Sequence, residues 1–139
     1  MTPESILLPM SVLALWTLGV LALVPVTRAR ASVEGRTHIK DFRYGESANV
    51  PGDVSLPNRN YMNLLELPVL FYVLCLALYA TKRVDGIDLI MAWAFVAARI
   101  AHSLIHLVYN DVLHRGAVFG VGVLVVLAMW ARFTFGLMV

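Results

Sequence analysis

Four long apolar stretches dominate the chain, and their spacing predicts four membrane-crossing helices. Ile6 to Thr27 contains no charged residue, enough length at 1.5 Å per residue to cross a hydrocarbon core of ~30 Å. Further stretches run over 58–80, 87–109 and 116–137, separated by the short turns Lys82–Gly86 and Asn110–Arg115. The one extended polar segment, 28–57, lies between the first two. It carries Arg28, Arg30, Arg36, Lys40 and Arg43 against Glu34, Asp41, Glu46 and Asp53. The predicted architecture is an all-α, four-transmembrane-helix up-down bundle occupying 1–139 as a single membrane domain.

Composition agrees. Of 139 residues 60% are hydrophobic and 14% charged, against about 25% charged in soluble domains. A formal charge of +2 is too small to indicate a nucleic-acid partner. The N-terminus, Met-Thr-Pro-Glu, lacks the basic n-region of a secretory signal, so the first stretch is expected to be a retained helix. The lone Cys75 sits in an apolar run and reads as a packing thiol. Basic residues are unevenly placed. Six from Arg28 to Arg59, with Arg115, fall on one side, and Lys82, Arg83 and Arg132 on the other. The positive-inside rule then puts the long first loop in the cytoplasm and both termini outside. In a bacterium this would be the plasma (inner) membrane.

Within the apolar helices the polar residues are patterned. Arg59, Asn63 and Glu66 fall within roughly 60° of one another on the second helix. Asp88, Arg99, His102 and His106 share a face of the third, with Asp88 near the outer surface, where it reads as a solvated helix-start residue. A shared stripe faces protein or a water-filled cavity, since charge in lipid is costly. Counting from the cytoplasmic end, Glu66 lies roughly 9 Å deep, His106 about 4 Å, His102 about 10 Å and Arg99 about 15 Å. Arg115 opens the fourth helix at the same face. A bland alternative pairs Glu66 with Arg99 and leaves the rest as helix caps. The convergence favours a pocket for a polar ligand. Three arginines suited to carboxylates, one carboxylate suited to an ammonium, and one amide match a zwitterionic peptide.

Arg59-x-x-x-Asn63-x-x-Glu66, followed by Pro68 and Phe71, resembles the signature of the MAPEG family, the membrane-associated proteins in eicosanoid and glutathione metabolism. Arg99-x-x-His102-x-x-x-His106 with Arg115 resembles the prostaglandin E synthase branch of that family. The resemblance implies a homotrimer with glutathione as cosubstrate, bound between protomers near the cytoplasmic face. It implies glutathione contacts from Arg59, Asn63, Glu66, Arg99, His102 and His106, with Arg28 or Arg30 reaching in from a neighbour. It also places Arg115 by the sulfur as the catalytic residue, and implies a transferase or peroxidase acting on a lipophilic small molecule that enters from membrane lipid. The chain departs from the branch at His106, where the branch has tyrosine. It also has Gly116 and Phe119 where the branch has a serine and an aromatic hydroxyl. Two alternatives stand beside this: a non-enzymatic membrane protein of the same fold, and a metal site built from His102, His106 and Glu66, which the charge of Arg99 opposes. Gly116-x-x-x-Gly120, with Gly122, permits close helix approach.

Overall fold

A computed structural model describes residues 2–138, and among them there is no β-strand. Four helices carry the chain: α1 (Leu7–Val33), α2 (Gly52–Ala80), α3 (Gly86–Val108) and α4 (Val112–Met138). All four are long and apolar enough to cross a membrane. A 3₁₀ turn, Pro3–Ile6, leads into α1, and another, Ile39–Phe42, lies in the first connection.

Three helix ends differ from the hydropathy boundaries. Helix α1 does not stop at residue 27 but continues to Val33, so Arg28 and Arg30 are helical. No breaker interrupts Arg-Ala-Arg-Ala, Arg30 pairs with Glu34 one turn on at 2.9 Å, and Ala31 packs against Val50 and Val54. The helix ends at Gly35, whose φ of +72° suits glycine, with Arg36 N–H donating to the Ala31 carbonyl at 2.8 Å. Helix α2 begins at Gly52 rather than 58 and continues through Pro57 and Pro68. Each proline removes one ladder hydrogen bond, and burial of Val54 and Pro57 in the early turns offsets the loss. Helix α4 begins at Val112 rather than 116 because Asp111 caps it, accepting from His114 N–H at 2.8 Å. The unstructured part of the first connection is correspondingly shorter than 28–57.

Helices α1 and α2 form one hairpin, α3 and α4 the other, and each hairpin packs most extensively within itself. Leu64, Phe71, Leu74, Phe95, Val126 and Met129 fill the seam between them, with Phe71 stacked on Phe95 at 4.6 Å between ring centroids. The outward faces remain apolar: Leu15, Leu18, Ile90, Leu124 and Leu127 are exposed. A bilayer tolerates this because lipid is as apolar as the side chains themselves.

The seam also contains a polar joint across three helices. Ser103 Oγ accepts from Trp16 Nε1–H at 3.0 Å and from Asn60 Nδ2–H at 2.7 Å. Ser103→Ala orphans the Trp16 N–H and leaves Asn60 only a long contact of 3.4 Å to the Ser103 carbonyl, and is expected to destabilise the protein by about 1–3 kcal/mol, read as a lower melting temperature in detergent. An unchanged melting temperature would mean that these donors find other partners.

At the opposite end Asp88 is not solvated but buried, a correction to the sequence reading. Arg132 reaches across from α4, its Nε–H donating to Asp88 Oδ1 at 3.1 Å and its Nη2 to Asp85. Asp88 also accepts from the Asp85 backbone N–H at 3.2 Å. The Asp88 backbone N–H foremost, and then Arg132, hold the Asp85 carboxyl below its ordinary pKa. Of Gly116, Gly120 and Gly122 only Gly122 is closely packed, a Cβ there standing 3.6 Å from Arg99 Cδ, whereas Gly116 and Gly120 face open space.

Candidate functional site

Where the two hairpins part, at the end far from the α2–α3 turn, a cavity of about 410 Å³ opens. Helix α2 contributes Arg59, Met62, Asn63 and Glu66. The α3–α4 hairpin contributes His106, Asn110, Val112 and Arg115. The helical spacing of Arg59, Asn63 and Glu66 does put them on one wall, and the tight α3–α4 turn, with Asn110 at φ +49°, brings His106 and Arg115 to the other.

Arg59 and Glu66 are exposed, and among the described residues neither has an ion-pair partner within 4.0 Å. The bland pairing of Glu66 with Arg99 is therefore not made. Asn63 Nδ2–H donates to the Arg59 carbonyl at 3.0 Å, leaving its amide oxygen for other donors. With neutral histidines, the lining has two guanidinium groups to one carboxylate, a site biased toward anionic groups.

Arg115 organises the far wall. Its guanidinium donates to Asn110 Oδ1 and, at 3.4 Å, to His106 Nε2, while its carbonyl accepts from His102 Nδ1–H at 3.0 Å. A guanidinium only donates, so the neutral His106 ring carries its proton on Nδ1. A carbonyl only accepts, so His102 also carries its proton on Nδ1 and presents a bare Nε2. One residue thus fixes both imidazoles, which meet edge-on at 6.1 Å between centroids.

Arg99 and His102 do not line the cavity but lie behind it, both buried. Arg99 donates through Nη2 to the Asn63 carbonyl at 2.9 Å and sits 5.2 Å over the Phe119 ring. Among the described residues its Nε and Nη1, His102 Nε2 and His106 Nδ1 have no hydrogen-bond partner. Buried polar groups are costly when unpaired, so this set marks a place built for polar company. Phe119, read from sequence only as a missing hydroxyl, serves as a face for both Arg99 and His102, whose ring lies 5.7 Å away.

Arg28 and Arg30 are outside this cavity. Arg28 pairs with Glu46 at 3.0 Å and lies 4.6 Å over the Phe42 ring, and Arg30 pairs with Glu34. Among the described residues no three of His, Cys, Asp and Glu gather as a metal ion requires, so the metal alternative gains no geometric support. Asn110, which anchors the Arg115 guanidinium, was not foreseen. Its signal was an asparagine in a tight interhelical turn, where positive φ is tolerated. A larger cavity, about 530 Å³, lies at the opposite end beside Arg83 and Arg132, but Arg132 is already neutralised there by Asp85 and Asp88.

Four apolar crossing helices with a cationic cavity at one end of their seam define a multi-pass integral membrane protein. The model of the MAPEG family matches residues 6–135, and the chain belongs to that family. No curated protein and no solved structure matches the chain.

Proposed function

We propose that the protein is a glutathione-dependent transferase or peroxidase whose site closes between protomers of a homotrimer. The observation that carries this reading is the convergence of Arg59, Asn63, Glu66, His106 and Arg115 on one cavity, within the ~300–1,000 Å³ typical of small-molecule sites. Its inventory suits a tripeptide with two carboxylates, one ammonium and a thiol. Arg59 offers a fork to a carboxylate and Glu66 an acceptor to the ammonium. Asn63 offers an amide to either, and Arg99 and His102 line the inner side once a ligand reaches them. Glu66 is exposed on a helix face that otherwise shows Met62, Leu65 and Val69. A carboxylate on a lipid-facing surface is disfavoured, which supports a neighbouring protomer over that face and leaves Arg28 or Arg30 of the neighbour within the proposal.

Arg115 is the catalytic group in this reading. A free thiol titrates near 8.5, so only a few per cent is thiolate at neutral pH. Lowering that value by about two units requires about 2.7 kcal/mol of differential stabilisation. A guanidinium fixed by Asn110 and His106 is placed to supply it without reorganising. The thiolate sulfur then bonds to an electrophilic atom of a lipophilic substrate arriving from the bilayer, and the displaced group leaves with the electron pair. Calorimetric titration of glutathione into the detergent-solubilised protein is the direct test. Saturable binding supports the reading, and no binding returns the chain to the non-enzymatic alternative.

The proposed orientation puts this cavity and the first connection in the cytoplasm. Ala48 is exposed in that connection and Cys75 is buried. A cysteine placed at Ala48 is expected to resist an impermeant thiol reagent in intact cells and to react after lysis, whereas one at Lys82 labels in both. The opposite pattern would invert the topology.

A further inference from the structure

The first connection ends in a tip that the site does not use. Its three carboxylates, and Asp53 in the first turn of α2, are all engaged. Glu34 takes Arg30 and Arg36, Glu46 takes Arg28, and Asp53 takes Arg36 at 2.8 Å. Asp41 accepts from His38 N–H at 2.8 Å and from Ser47 Oγ–H at 3.1 Å. Phe42 packs under Arg28 against the Ala31, Val50 and Val54 cluster, so the connection is tied down rather than loose. Left over are Lys40 and Arg43, exposed and without an acidic partner among the described residues. The Arg43 guanidinium lies 5.2 Å over the Tyr44 ring. Beside these cations stand Ile39 and Tyr44, 87% and 90% exposed, among the most exposed large apolar side chains of the protein.

Height decides what such a tip meets. The uncharged run of α1 ends at Thr27, and Arg28, the next residue, pairs with Glu46 and lies over the Phe42 ring, so the connection folds back to the end of that run. The headgroup layer on each side of a bilayer is roughly 5–8 Å thick. Apolar and aromatic side chains paired with unneutralised cations at that level match an anionic lipid surface.

We infer that the Ile39-Lys40 and Arg43-Tyr44 pairs form a binding surface for anionic phospholipid headgroups of the protein's own bilayer, with Ile39 and Tyr44 inserted and Lys40 and Arg43 on phosphate. The inference is independent of the glutathione reading, because neither residue pair borders the cavity. Each basic residue near an anionic surface is worth about a fivefold preference.

The test uses the full-length protein with His38→Cys, an exposed neighbour of the tip, labelled with an environment-sensitive fluorophore. It is reconstituted with headgroup-nitroxide phosphatidylglycerol or with phosphatidylcholine bearing the same nitroxide. Quenching is expected at lower mole fraction of phosphatidylglycerol. Lys40→Gln with Arg43→Gln is expected to erase that preference, about thirtyfold for the pair, at an unchanged melting temperature because both side chains are exposed and neither has an acidic partner to lose. Equal quenching by the two lipids, in parent and variant alike, would overturn the inference. So would a label already shielded in lipid-free detergent, which would assign the tip to a second copy of the chain.

Discussion

Glu66→Gln is expected to weaken glutathione binding ten- to hundredfold while leaving the melting temperature in place. The substitution keeps the shape of the side chain and one hydrogen-bonding oxygen but removes the charge. Loss of a charge-assisted contact costs about 1.5–3 kcal/mol, which corresponds to that range in affinity. The fold is indifferent because Glu66 is exposed to the cavity and pairs with no arginine among the described residues. Had it been the buried partner of Arg99, the variant would strand a guanidinium and cost about 3–5 kcal/mol of stability. Calorimetry and thermal unfolding on one preparation separate the cases. A steep fall in melting temperature with unchanged affinity would make Glu66 structural.

Arg115→Ala is expected to abolish the thiolate ultraviolet band of the glutathione complex while changing affinity by less than about tenfold. The backbone carbonyl that holds His102 survives the substitution, but the guanidinium contacts to Asn110 and His106 do not. Without a fixed cation the bound thiol returns toward its ordinary value near 8.5, and the thiolate fraction at neutral pH falls to a few per cent. Arg115→Lys keeps the charge and loses the fork, because one ammonium on a flexible stem does not reproduce the planar guanidinium held by both Asn110 and His106. An intermediate band is expected for it. A full band in the alanine variant would transfer the role to Arg59 or Arg99.

The parts legible in the sequence were those set by periodicity and transfer free energy. Four long, predominantly apolar stretches were legible as helices in lipid. Three polar residues at spacings of four and three had to share a wall, and Arg59, Asn63 and Glu66 do. Hydropathy marks where the chain leaves hydrocarbon, not where hydrogen bonding stops, so α1 was cut at Thr27 although its backbone continues through Arg28 and Arg30 to Val33. Asp88 was misplaced because its partner Arg132 lies 44 residues away on another helix, a pairing no local pattern reveals. The Trp16–Ser103–Asn60 joint was invisible for the same reason, though Asn60 in an apolar helix, one residue off the Arg59 stripe, was a sign of a buried partner. Arg99 and His102 were set at the correct end, but angle and depth along one helix do not say which residues a neighbouring helix will cover.

That same joint governs the aperture of the cavity. The α2–α3 turn connects the hairpins at one end and the cavity opens at the other, so the molecule has the geometry of tongs. Glu66 stands about 22 Å along α2 from Thr81. A rotation of about 3° at the turn would therefore move the Glu66 wall by about 1 Å relative to His106 and Arg115. Two cross-ties near the open end oppose that rotation, Asn60 to Ser103 and Arg99 to the Asn63 carbonyl. The jaws are thus tied to one gap by two hydrogen bonds between α2 and α3.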